Sequence, residues 1–178
     1  MTRFTPLQFK DAFLKSVTPF DSQIVSLWDK RRDYTALMLD FIFPEIAKAL
    51  KISVYNADYY YLDSVFYAER DSDHFGDSAI HAKCLSIAVE HEHVLAGTEV
   101  EMNKLQLFNA SLKVLITYPQ TDELRGMYLD RYTKIVREAD IFSDFATLRR
   151  ALVVFGQLSG HEITWSFYAY EASGFQAV

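Results

Sequence analysis

At 178 residues the chain is long enough for one sizeable core and short for two. Hydrophobic residues make up 50% and aromatics 15% (14 Phe, 11 Tyr and 2 Trp), which excludes a disordered polar chain and predicts one folded globular domain over 1–178. A net charge of −6 opposes sequence-independent coating of a polyanion and leaves only local basic groups, Lys30-Arg31-Arg32, Lys104, Lys113 and Arg149-Arg150, each readable as solvated surface.

No apolar run reaches the roughly 18 residues that span a bilayer, and Met1-Thr2-Arg3-Phe4-Thr5-Pro6 lacks the layout of a secretory signal. No membrane partner and a cytoplasmic location are expected. The single cysteine, Cys84, cannot form an internal disulfide and reads as a buried, inert thiol.

In chain order, Thr5-Pro6-Leu7-Gln8 has the form of a capping box, and Phe9, Phe13 and Val17 continue it as a first helix. Asp21-Ser22 caps a short second helix through Leu27 and Trp28. Asp33 starts a third with Tyr34, Leu37, Met38, Phe41, Ile46 and Leu50 on one side, kinked or ended by Pro44 near Phe43. Residues 57–68, rich in aromatic and β-branched types, read as a strand with Asp63 in its middle, and Asp71 to Asp77 as a polar turn. Ala82 to Val89 reads as a strand running on to Glu90 and Glu92. A helix capped by Thr98 follows to about Asn109, then a buried strand Leu112–Tyr118 closed by Pro119, so strand, helix and strand imply a parallel crossover. Asp122 to about Ala139 is the clearest helix. Ala151–Leu158 and Ile163–Tyr170 form a hairpin around Ser159-Gly160. The prediction is an α/β fold with a mixed β-sheet flanked by helices.

The chemistry concentrates where acids interrupt apolar strands. Glu90 and Glu92 alternate with His91 and His93, so the two acids share one face and the two histidines the other. Burying paired carboxylates is costly unless a cation neutralises them, and oxygen ligands of this kind suit a hard divalent ion. Asp63 on a neighbouring strand completes the outline of a metal site. Hydrated acids at a fraying strand end, a polar edge-strand Asp63 and a surface Glu101–Lys104 ion pair are the alternatives that need no site. His91 and His93 also suit zinc, but one cysteine and His74, His81 and His161 supply no recognisable spacing for further ligands.

Asp63, Glu90-His91-Glu92, the helix with Glu101-Met102-Asn103-Lys104-Leu105 and the strand Leu112–Tyr118 together resemble the PD-(D/E)XK superfamily of restriction endonuclease-like proteins. The likeness covers about 33–118 and leaves the C-terminal helix and β-hairpin, 122–178, outside it. It implies a three-layer core and a Mg2+- or Mn2+-dependent nuclease, most readily acting on DNA. Asp63, Glu90 and the backbone carbonyl of His91 would be the metal ligands. Glu92 occupies the place of the motif's lysine, a departure that removes the usual cation near the attacking water; Lys104, one turn after Glu101, would substitute for it. Leu62 replaces the motif's proline, and Glu45 matches an acid that some members carry on the leading helix. The rival expectation is a catalytically inactive protein of the same fold acting as an interaction module. There, exposed Trp165, Phe167 or Tyr170 would mediate partner binding or homo-oligomer formation.

Overall fold

The computed structural model describes residues 3–69, 72–75, 79–82, 84–139 and 150–178. Its N-terminal part is helical. Thr5 and Gln8 cap α1 (Pro6–Val17) reciprocally, with Pro6 in the first turn, as the sequence predicts. A 3-10 turn leads into α2 (Asp21–Leu27), where Asp21 lies inside the first turn and no side chain caps the helix. α3 (Arg31–Leu37) passes through a π-helical stretch, Met38–Ile42, into α4 (Phe43–Leu50). Pro44 accounts for the widened turn, because it has no N–H for the carbonyl four residues earlier. The predicted kink is realised as a change of helical pitch, and Phe41 turns outward, 55% exposed.

The strands and remaining helices are β1 (Ser53–Tyr55), β2 (Ser64–Tyr67), β3 (Ser72–Phe75), β4 (Ala79–Ala82), β5 (Leu85–Glu92), α5 (Thr98–Gln106), β6 (Ala110–Thr117), α6 (Asp122–Glu138), β7 (Ala151–Ser159), β8 (Glu162–Glu171) and β9 (Gly174–Ala177). Among the described residues they form a seven-stranded mixed sheet in the order β1-β2-β5-β6-β7-β8-β9, with β3 and β4 as a separate hairpin. β5, β6 and β7 are parallel; all other neighbours are antiparallel. The expected β5–α5–β6 crossover is present. Two expectations are corrected: the strand expected over 57–68 is confined to Ser64–Tyr67, and the polar stretch expected as a turn carries β3. The C-terminal segment is no appendage, since β7 pairs with β6 and extends the same sheet.

Helices pack on both faces. Phe66, Ile87, Val89, Leu112, Val114 and Ile116 meet α1 to α4, while Val65, Ala88, Leu115, Val153 and Phe155 meet α5 and α6. β6 is buried along its whole length, as a central parallel strand covered on both faces must be. Phe167 lies in the first core rather than exposed, while Trp165 and Tyr170 are half-buried against Phe13 and Phe175. Cys84 is half-buried, just ahead of β5 rather than within it. Lys113 is not surface either: it is 6% exposed, and its ammonium lies 3.4 Å from the last carbonyl of α5, Gln106 O. No helix among the described residues is long and apolar enough to cross a membrane.

Candidate functional site

The site begins where the antiparallel ladder between β2 and β5 stops. Ser64 is the last residue of β2 to pair, opposite Val89, and continuing that register by one residue sets Asp63 opposite Glu90. Side chains directly opposite in such a pair share a face and touch. The amide of His91, just past the end of the ladder, donates to Asp63 Oδ2 at 2.8 Å, so the carboxylate closes the end of the ladder. The next residue is fixed on the opposite face: Ser64 Oγ donates to Asn56 Oδ1 at 2.7 Å, and Asn56 Nδ2 donates to Leu39 O in the π-helical stretch at 2.5 Å.

α5 supplies the cation. Gly97, with φ of 102°, turns the chain into this helix; Thr98 is its first residue rather than its side-chain cap and donates to Leu95 O. Met102 and Leu105 anchor α5 in the core, and the adjoining stripe brings Glu101 and Lys104 over the end of β5. Lys104 Nζ lies 2.8 Å from Glu90 Oε1, ion-pairs with Glu101 and donates to the Tyr61 carbonyl at 2.7 Å. Glu90 is 2% exposed. Burial first, and the nearby Asp63 charge second, push its carboxyl up to about 9 against the pull of Lys104. Burial also raises Asp63, partly offset by the His91 amide, Lys104 and a hydrogen bond with Glu90. Burial thus favours one proton shared between the facing Asp63 and Glu90 carboxyls, with Lys104 on Glu90 Oε1. Lys104 is held in its charged form, its partial burial outweighed by Glu101 and Glu90.

The remaining sequence candidates divide. Glu92 follows Glu90 on the same face, but its Oε1 accepts from the Val94 amide at 2.8 Å and so ties down the turn after β5. Glu45 is not brought to the site: it is exposed on α4, whose buried side joins the opposite core, and pairs with Lys48 at 3.5 Å. The sequence reading missed the loop that leads into Asp63. Tyr59 and Leu62 bridge across a tight turn, and Asp58, Tyr60 and Tyr61 have φ of 55°, 51° and 71°. Left-handed backbone at a bulky residue costs on the order of 1–2 kcal/mol, and here it is met without a glycine. The aromatic run hid the turn, because the same residues carry high strand propensity.

On the other face of β5 lies a neutral polar cluster. His91 Nε2 and Tyr118 Oη are 2.7 Å apart, and Tyr118 donates to Tyr34 Oη at 2.9 Å. His93 stacks on Tyr118 with centroids 4.9 Å apart, and Tyr34 meets His93 edge-on at 4.6 Å. A Cβ at Gly156 would come within 2.7 Å of the Tyr118 ring, so only glycine there lets the ring lie against β7. Burial, aided by the neighbouring His93, lowers His91 to about 3. Burial and the Arg31 charge lower His93 to about 4. Both stay neutral, and His161 is exposed far along the chain in the β7–β8 turn. The positions of His74 and His81 fall in β3 and β4, and their side chains lie outside the described residues.

Among the described residues no three His, Cys, Asp or Glu side chains are grouped to hold a metal ion. Asp63 and Glu90 nonetheless fit a hard divalent cation, which takes one or two carboxylates and keeps several waters. Their raised pKa values mark a buried pair short of positive charge, and a hard cation would relieve it. Comparison of the chain with protein-family models, with curated proteins and with solved structures yields no match.

Proposed function

We propose that the chain is a divalent-metal-dependent nuclease with a restriction endonuclease-like core, cleaving phosphodiester bonds of DNA. The observation that carries this reading is the convergence of Asp63, Glu90 and Lys104 on one buried spot at the end of β5. The order helix, β1, β2, β5, α5, β6, with β5 antiparallel to β2 and parallel to β6, supports the same core.

Asp63 and Glu90, with the backbone carbonyl of His91, would hold Mg2+ or Mn2+. Bound there, the ion supplies charge neutralisation at the phosphate and a more acidic water. Glu90 must give up its proton for this, so occupancy releases a proton. Lys104, kept charged by Glu101, stabilises the negative charge that develops on the phosphate. Glu92, with one oxygen fixed by Val94, orients the attacking water with the other or accepts its proton. The reading makes the chain a metal enzyme of the cytoplasm with DNA as its partner.

A second reading, an inactive protein of the same fold serving as an interaction module, is favoured by the way Lys104 is already engaged by Glu90, Glu101 and the Tyr61 carbonyl. The experiment is cleavage of single- and double-stranded DNA and RNA with Mg2+ or Mn2+, comparing the chain with Asp63→Ala and Glu90→Ala. Metal-dependent cleavage lost in both variants establishes the nuclease and its substrate. Cleavage no greater than that of the variants removes the enzyme reading and leaves the module.

A further inference from the structure

The Tyr59–Leu62 turn presents two large aromatic rings to solvent, Tyr60 at 66% and Tyr61 at 80% exposure. No core requires them there. Tyr60 touches Tyr59 edge-on with centroids 4.9 Å apart, while the Tyr61 ring projects from a backbone in the left-handed region. The turn is nevertheless fixed at both ends. The Tyr59 and Leu62 amides exchange 3.0 Å hydrogen bonds with each other's carbonyls, and Lys104, which holds Glu90, also holds the Tyr61 carbonyl at 2.7 Å. Strained backbone that displays apolar rings beside a cluster of reactive groups is a cost the fold alone does not explain.

We infer that Tyr60 and Tyr61 are a stacking platform for unpaired bases of a single-stranded DNA whose phosphate lies at the Asp63–Glu90–Lys104 cluster. The inference rests on the nuclease reading for the phosphate's position and names the substrate form. Its logic is a balance of forces. A chain of net charge −6 gains little from tracking a phosphate backbone. It therefore needs a non-electrostatic hold on its substrate, and base–aromatic stacking provides one that tolerates any sequence. A duplex hides the faces of its bases inside its own stack; a single strand offers them. Because Tyr61 is separated from Asp63 by Leu62 alone, a base on the ring and a phosphate at the carboxylates fall within neighbouring nucleotides of one strand.

The test measures binding without cleavage, by fluorescence anisotropy in EDTA, using a labelled oligothymidylate, the same strand with abasic sites, and a duplex. The full chain is compared with Tyr60→Ala, Tyr61→Ala and Tyr61→Phe, with thermal melting to show that each variant folds. Expected are tighter binding of the single strand than of the duplex or abasic strand, a loss of about five- to 150-fold in each alanine variant, and near-complete retention in Tyr61→Phe. Equal binding by the alanine variants, equal binding of the abasic strand, or no single-strand binding by the parent overturns the inference. So does a dimer in sedimentation that the alanine variants abolish while oligonucleotide binding is unchanged, since the rings would then serve self-association. Cleavage assayed separately keeps the two readings distinct. A metal-dependent nuclease indifferent to these variants retains the first and loses the second; an inactive chain with the expected binding pattern retains the platform and loses the enzyme.

Discussion

The end of β5 sets two kinds of polar chemistry back to back. Glu90 faces α5 with Asp63, Glu101 and Lys104, an ionisable cluster in which acids outnumber the cation. His91, the next residue, faces the helical N-terminal layer with Tyr34 and Tyr118, to which it is joined through ring nitrogen and hydroxyls, and with His93, which packs on their rings; both histidines are held neutral. Both sets are largely buried, yet they solve desolvation differently. The aromatic set removes charge altogether, bonding His91 Nε2 and two hydroxyls while His91 Nδ1 and His93 Nε2 stay without a partner, whereas the acidic set gathers three carboxyls around one ammonium. Burial keeps the histidine side neutral well below pH 7, and on the carboxylate side it opposes the charge that Lys104 supports.

The comparison breaks most visibly in activity. On the proposed nuclease reading, Asp63→Ala and Glu90→Gln should each lower metal-dependent DNA cleavage by at least about 10²–10³-fold, whereas His93→Gln, on the neutral face, should change it by less than about tenfold. Steady-state cleavage rates at saturating Mn2+ decide this, and equal losses for all three would dissolve the distinction between the faces. On the same reading, metal affinity read by calorimetry should rise with pH up to about 9, because Glu90 would have to lose its proton to serve as a ligand.

Acid should attack the other face. The folded protein keeps His91 and His93 neutral to about 3 and about 4, while the unfolded chain protonates them near 6.5. Between those limits the unfolded state binds more protons, so stability present above pH 6.5 is lost as pH falls. The loss by pH 5 is about 2 kcal/mol for His91 and less for half-buried His93. Urea midpoints across pH 5 to 7 should show this slope, and His93→Gln should reduce it. Tyr118→Phe, which strands Tyr34 Oη and His91 Nε2 without their shared partner, should cost about 1–2 kcal/mol at neutral pH.

How much of this was legible differs between the faces as well. α1, α6, β6 and the β7–β8 hairpin followed from capping, periodicity and apolar runs, because each buries a pattern that local sequence already carries. Alternation along β5 correctly put the acids on one face and the histidines on the other. Asp63 was found, but as a mid-strand residue, since a run of three tyrosines mimics a strand and the left-handed turn lacks its usual glycine or asparagine. The burial of Lys113 and Phe167 was not legible: it depends on β7 joining β6 and on where α5 ends, both long-range facts. The Tyr118–His91–Tyr34 chain was invisible for the same reason, since its members come from separate segments.

Glu45 supplies the smallest and most discriminating contrast. A sequence likeness can assign it a place among the acids, but α4 packs against the histidine-side core with Phe43, Ile46 and Ala47 inward, which leaves Glu45 in solvent beside Lys48. An exposed pair three residues apart on a helix gains little Coulomb energy in water and is screened by salt. Glu45→Gln should therefore shift stability by less than about 0.5 kcal/mol and leave metal binding unchanged, as chemical denaturation and calorimetric titration would register. A drop in metal affinity comparable to that of Glu90→Gln would mean that the leading helix reaches the site in solution. The two faces of the sheet would then be chemically continuous rather than separate.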